Sequence, residues 1–425
     1  MASSREEKCV ALKRYRLVQR RKMLGFSQER LAEILGVERS TVVRWERAEN
    51  DPQPWHRVRI AETLRVPLDQ LQEILDDVSV ATPRGSTMGD NASNSQPAVR
   101  TDLLAGLRAF LTRYLPSDNA GSVRASLPEV RRAVARVHTL YQRASYVPAS
   151  RHIPDVLRAA TELTQSGSGI HRATAFKLLA AGYVAASKIA CKVGDGETAL
   201  LTADRAATSA LLAGDQSLAA VAAYQASCAL LRLPDRLAEA EAVTEASIDH
   251  LTRLRPSPHP ELISARGALL LLAAIITARR GDVKQAARHL AQAQTVAADL
   301  GSDQNRLWTG FGPTNVAIHT VSTAVAAGNA ERAIETGARL DTSRLPIALV
   351  GRRAQVHLDL AQATAIGNDG SSLAVLHLLE AERVAPEVLG ANVQARSLLL
   401  DLLSKERRSA TPGLRPMAVR AGLLT

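Results

Sequence analysis

The sequence predicts an all-α protein in two parts, a small five-helix domain followed by an α-solenoid of stacked helix pairs. Three observations carry this prediction. Aromatic residues make up only 3% of the chain while Ala and Leu abound, which suits packed helices better than sheets. Apolar residues recur at spacings of three and four, as in Leu103, Leu104, Leu107, Phe110, Leu111 and Leu115. Helix-ending pairs recur at near-regular intervals: Gly194-Asp195, Pro234-Asp235, Gly281-Asp282, Gly328-Asn329 and Gly367-Asn368. The chain has 425 residues, and a single core stops growing at roughly 250–300, so two domains or a repeat array are required.

The first domain is assigned to residues 1–78. Leu17, Met23 and Leu24 form an apolar stripe on a first helix. Ser27 is a good N-cap for Gln28–Leu35, and Glu29 sits in the first turn, where the helix dipole favours an anion. Leu31, Ala32 and Leu35 give the inner face, and Gly36 supplies the positive φ of a tight turn. Val37 follows as a plug, and a third helix runs from about Arg39 to Arg47. Two short helices joined by a glycine turn make a helix-turn-helix. Val42 and Trp45 point inward, so Arg39, Ser40, Val43, Arg44 and Arg47 face out. Ile60, Leu64, Leu68, Leu71 and Ile74 supply the remaining helices.

Residues 79–102 are rich in Ser, Asn, Pro and Gly and read as a flexible linker. Residues 103–405 form the helical array and 406–425 a basic C-terminal tail. Successive punctuation marks repeat every 39–47 residues (40, 47, 47, 39), a period that holds two helices, for instance Leu262–Arg280 and Val283–Leu300. Ala286, Ala287, Ala291, Ala293, Ala297 and Ala298 permit close helix approach. In these small residues and helix pairs, residues 170–403 resemble tetratricopeptide repeats, without their 34-residue period or signature aromatics. Each pair must bury its apolar face on its neighbours.

Lys and Arg exceed Asp and Glu by 53 − 42 = 11, which favours an anionic partner, nucleic acid first. Residues 1–24 carry +6 and residues 25–77 carry −4, so any basic face in the first domain is local: the first helix plus the outward arginines. Cys9, Cys191 and Cys228 are too few and too scattered for a disulfide framework or a zinc site, and a reducing cytoplasm is the expected compartment. No GxxxxGK[ST], HExxH or GxSxG motif is present, and no enzyme activity, metal or cofactor is expected. No signal-peptide stretch follows the charged first 24 residues. The longest apolar run, Gly267–Ala278, is short of the ~20 residues a bilayer requires and reads as a buried helix; no membrane is expected.

Arg21, Gly25, Ser27-Gln28, Leu31-Ala32, Gly36-Val37, Val42 and Glu46 together resemble the Cro/C1-type (XRE) helix-turn-helix family. Trp45-Glu46 and Pro52-Gln53-Pro54 resemble the version common among actinobacterial regulators. The resemblance implies double-stranded DNA as partner and a homodimer on a pseudo-palindrome. It places base contacts on Arg39, Ser40 and Arg44, and backbone contact on Gln28; Thr41 adds another, and Val43 can touch a thymine methyl. It also implies a structural role for Trp45 and a salt bridge between Arg21 and Glu46. Ala48-Glu49 departs from the family, which closes the helix with glycine; a changed cap is expected.

One further patch draws notice. Trp308 begins an aromatic, glycine-rich loop, and Asn315 and His319 lie four apart on the helix after it, with Ser322 extending the stripe. On the inner wall of a solenoid such a stripe can hold a peptide, small-molecule or protein effector; regulators that join this helix-turn-helix to tetratricopeptide repeats include peptide receptors. The alternative is that Asn315 caps or packs the first turn after Pro313. The function expected is transcriptional regulation, and the alternative is an interaction scaffold whose helix-turn-helix no longer reads DNA.

Overall fold

A computed structural model describes residues 14–24, 26–64, 66, 68, 71, 74–75, 102–113, 125–254, 259–366, 371–406, 411 and 413–424. Among these, every regular element is helical. The chain divides into two compact units, Met1–Ser95 and Gln96–Thr425. Of the expected linker, residues 79–101 lie outside the described residues, as do the Gly367-Asn368 pair and Cys9.

The first unit contains α1 (Tyr15–Met23), α2 (Gln28–Leu35), α3 (Arg39–Glu46) and α4 (Pro54–Leu64). Leu68, Leu71, Ile74 and Leu75 are helical residues of a fifth segment. Leu17, Leu31, Leu35, Val42, Trp45, Ile60, Leu64 and Leu71 share one core. Ser27 Oγ accepts from Arg30 N at 3.0 Å, and Gly36 ends α2 at φ 69°. Met23 does not join the stripe expected of it and is 71% exposed. At 100° per residue, six positions carry it 240° away from Leu17. Position 21 continues the buried face instead, and there the residue is Arg21.

The second unit begins with α5 (Ala105–Leu111). Helix pairs follow: α6 (Leu127–Gln142) with α7 (Tyr146–Ser166), α8 (Gly169–Val193) with α9 (Gly196–Leu212), and α10 (Gln216–Leu230) with α11 (Leu237–Arg253). Then come α12 (Pro260–Arg279) with α13 (Val283–Leu300), α14 (Pro313–Ala326) with α15 (Ala330–Ala338), and α16 (Val350–Thr364) with α17 (Ser371–Val384). Three of the turns within pairs follow one chemistry, whereas Ala144 and, at the expected Pro234-Asp235 mark, Asp235 hold the left-handed backbone in two others. Gly194, Gly281 and Gly328 adopt φ of 92°, 86° and 72°. The next residues, Asp195, Asp282 and Asn329, accept the amide of N3 at 2.9 Å. A left-handed glycine followed by an Asx N-cap both stops one helix and starts the next. Gly214-Asp215 does the same between pairs.

The first helices of successive pairs stack on one another, α6 on α8, then α10, α12, α14 and α16. α16 in turn touches α6, so this inner row returns to its start. Ala144 and Tyr146 accordingly share a core with Ala354, Leu358 and Leu378. By length and composition α12 is apolar enough to cross a membrane. Its twenty residues include the full run read from the sequence, and most are buried, among them Leu269, Leu270, Leu271 and Ile276. Its neighbours are α10, α11, α13 and α14, so it fills the interior of the array.

The C-terminal boundary differs from the expectation. Residues 406–425 are not simply a basic tail, since α20 (Leu414–Arg420) buries Leu414 and Met417 completely in the core formed with α17, α18 (Val388–Ala391) and α19 (Val393–Ser404). Its arginines are the reason it reads as a tail. Arg415 and Arg420 point outward and pair with Glu406 and Glu382 at 2.8 and 2.5 Å, while Met417 and Ala418 between them face in.

Candidate DNA interface and inner cavity

α3 is held from one side and open on the other. Val42 and Trp45 are buried, and Trp45 lies 5.4 Å from His56 between ring centres. Arg39, Ser40 and Arg47 are exposed on the opposite side, with Thr41, Val43 and Arg44 half-buried beside them. Arg39 Nε meets Glu29 Oε1 at 2.5 Å, Ser40 Oγ donates to Glu38 at 3.0 Å, and Arg47 lies 3.7 Å from Glu49. Glu29 is held below the usual carboxylate pKa, first by a backbone amide of its own turn and then by Ser27 and Arg39. These are exposed, exchangeable partners worth little in water, so a phosphate or guanine edge can displace them.

Behind α3 lies a polar knot. Arg21 donates through Nε to Glu46 Oε1 at 2.5 Å and through Nη1 to Phe26 O at 2.6 Å. Gln28 Nε2 donates to Glu46 Oε2 at 2.6 Å. The Arg21 and Glu46 side chains are each 6% exposed. One carboxylate thus joins the first three helices, and Gln28, at the start of α2 and expected from the sequence to contact phosphate, has a structural partner.

Sequence reasoning missed Arg14. It is buried and donates to Leu75 O at 2.6 Å, Trp45 O at 2.9 Å and Asn50 O at 3.0 Å, besides pairing with Asp51. Charge alone offered no signal for this role. Arg14, Arg21 and Arg57 are all buried, so the local basic face is narrower than the charge count implies; Arg16, Lys22, Arg39 and Arg47 are among its exposed cations.

Ala48 lies just past the end of α3, where the resemblance led to glycine being expected. Glu49 N bonds Arg44 O at 3.0 Å around Ala48, which sits at φ 54°. This is a helix-ending motif that glycine adopts without strain, so the change of residue alters the cap and leaves the helix intact.

In the second unit a cavity of about 510 Å³ is lined chiefly by the inner row of helices, α6, α8, α10, α12, α14 and α16. Trp308 and His319 line it; Asn315 does not. Asn315 is buried in the first turn of α14 with Oδ1 unbonded, and its backbone carbonyl accepts from His319 Nδ1 at 2.9 Å. It is not the cap either, because Asp303 takes that role, accepting from Thr314 N at 2.9 Å. His319 is pushed down to about 3 by burial and then by Arg352, so it is neutral at pH 7. Ser322 bonds Asp359. The Trp308 ring stacks on His138 at 3.6 Å with planes 3° apart, and its carbonyl accepts from Lys188 Nζ at 3.1 Å. Trp308 is therefore a pin in the wall, and its backbone oxygen is the group that meets the cation.

The fold and the α3 face define a helix-turn-helix protein with an appended helical array. Residues 17–71 match a family model described as helix-turn-helix. No curated protein sequence matches the chain. Among solved structures, the chain is similar to Bacillus thuringiensis PlcR, determined in complex with the peptide PapR7 and DNA, at 12% identity over 88% of this chain and 98% of that one. The TM-score is 0.33, too low to establish a common arrangement.

Proposed function

We propose that this protein is a sequence-specific, DNA-binding transcriptional regulator. Residues 1–78 read a duplex site, as a homodimer on a pseudo-palindrome, and the helical array answers to an effector or partner. The observation that carries the reading is α3: Val42 and Trp45 lock one face into the core, which leaves Arg39, Ser40, Val43, Arg44 and Arg47 available to a major groove. Arg39, Ser40 and Arg44 contact bases, while Gln28 and Thr41 contact the phosphate backbone.

The test is a binding titration of the full chain on a selected duplex and on single-base variants of it. Affinity falls steeply with salt as phosphate contacts release counterions. Arg44→Ala costs about 1–3 kcal/mol on the selected site and relaxes preference at one or two base pairs. Unchanged binding by a variant lacking Arg39, Ser40 and Arg44 side chains together means that α3 does not enter the groove, and the scaffold reading replaces this one.

A further inference from the structure

Six charged side chains face the inner cavity, apart from the neutral His319, and five of them are cations. Lys188 and Lys192 come from α8, Arg232 from the turn just after α10, Arg279 from the end of α12 and Arg352 from α16; the sole carboxylate is Asp359 of α16. Asp359 is already engaged by Ser322 and by Gln355 Nε2 at 2.8 Å. Among the described residues none of the five cations forms an ion pair with a carboxylate, whereas exposed arginines elsewhere, such as Arg108, Arg339 and Arg420, do. Arg232 Nε is buried without a hydrogen-bond partner.

Gathering like charges in a partly desolvated space costs free energy unless something compensates them. The mutual repulsion is visible in the lysines. Lys188 is lowered to about 7, by burial first and then by Arg352, and Lys192 to about 8, by burial and then by Arg232 and Arg352. The cavity volume falls within the range of roughly 300–1,000 Å³ typical of small-ligand pockets. A DNA-reading face gains nothing from these cations, because they line the interior of the array.

We propose that this cavity is a binding site for a small organic or inorganic polyanion, carrying at least two negative charges as carboxylate or phosphate groups, clamped between Lys192, Arg232 and Arg352. The residues come from separate helices of the inner row, so the ligand ties together α8, α10 and α16, including the place where the row returns to its start. The site stands on the cavity's own geometry; that its occupancy alters DNA binding rests on the functional reading above.

Binding raises the proton affinity of Lys188 and Lys192, so protons are taken up when the anion enters near pH 7–8. The groups facing the two lysines are Arg352 and Asp359 of α16, Arg232, Cys228 of α10, Cys191 of α8 and His138 of α6, which burial keeps neutral, with the Tyr141 ring of α6 5.8 Å from Lys188 Nζ. Both thiols are pushed above their ordinary value by burial and stay neutral, so the lysines are the groups that titrate in this window.

The experiment is calorimetric titration of the full-length protein, without DNA, with pyrophosphate and separately with citrate, at ionic strength matched with sodium chloride. The expected result is saturable binding of at least one polyanion at one site per chain. It weakens at least tenfold in Arg352→Gln and in Lys192→Met, both with unchanged helical circular dichroism, and it weakens as pH rises from 6.5 to 8.5. Preference for pyrophosphate or for citrate assigns the phosphate or carboxylate class. Arg44→Ala leaves the titration unchanged, which separates this site from the DNA face: loss of DNA binding alone sinks the regulator reading and leaves the polyanion site standing. Absence of saturable binding by both anions, affinity indifferent to Arg352→Gln and Lys192→Met, or binding confined to an extended peptide overturns the proposal.

Discussion

Replacing Glu46 with alanine is expected to unfasten the first unit from within. The carboxylate accepts from Arg21 and from Gln28, and both ion-pair side chains are nearly inaccessible to water. Removal leaves a buried guanidinium still donating to Phe26 O, and a Gln28 amide with no carboxylate. Breaking a buried pair by deleting one partner costs about 3–5 kcal/mol. A domain of this size has a total stability of roughly 4–12 kcal/mol, so the loss is a large share. The assay is native-state hydrogen exchange on the full chain. Amide protection across α2 and α3 falls by roughly two to three and a half decades, at 1.4 kcal/mol per decade, while α8–α13 is unaffected. Glu46→Gln keeps both hydrogen-bond acceptor geometry and shape at one oxygen and loses less. Unchanged protection in Glu46→Ala would refute the argument that this one side chain fastens three helices, and DNA binding lost without any loss of protection would assign Glu46 to the interface itself.

Three other outcomes are expected. Ala48→Gly stabilises the first unit by about 1 kcal/mol, because Ala48 holds a left-handed backbone that costs a residue with a Cβ roughly 1–2 kcal/mol; chemical denaturation with local exchange detection reads it, and a destabilised variant counts against the strain. Gly267→Ala places a methyl well inside the 3.0 Å limit of the Phe311 ring, which is fully buried, so overpacking of about 1–3 kcal/mol lowers the melting temperature of the array; an unchanged Tm shows that the ring moves freely. Lys188→Met changes the pH dependence of stability. The folded pKa of about 7 lies below the unfolded ~10.4, so unfolding takes up a proton between these values and the penalty for charging Lys188 is full below pH 7 and fades as pH rises. The variant therefore gains most relative to wild type near pH 6 and least near pH 9, and a pH-independent difference in thermal unfolding contradicts the shift.

Local features of both units are legible in the residue order. Ser27, Gly36 and the Gly-Asx pairs act through hydrogen bonds that span three or four positions, so their chemistry can be read where they stand. The alternation of apolar residues likewise marks α2, α3 and the helices of the array, and the outward side of α3 follows from the inward direction of Val42 and Trp45. Where a stripe mixes polar and apolar residues the reading fails: Met23 is exposed and Arg21 buried, because a carboxylate 25 positions away makes an arginine acceptable in the core. Residues 406–425 fail for the converse reason, since their apolar positions are few but find a ready core.

What residue order determined by itself is the all-α class, the helix-turn-helix and the pairing of helices, all consequences of period and of capping within a turn or two. Tertiary structure alone decided that Arg14 staples the first unit and that Asn315 stands behind the wall while Trp308 pins it. It also decided that cations spread from Lys188 to Arg352 converge on one cavity. Each helix pair adds a small rotation to the last, and only their sum over more than 200 residues brings α16 back to α6. No local pattern encodes that sum, because it depends on how every intervening pair of faces packs.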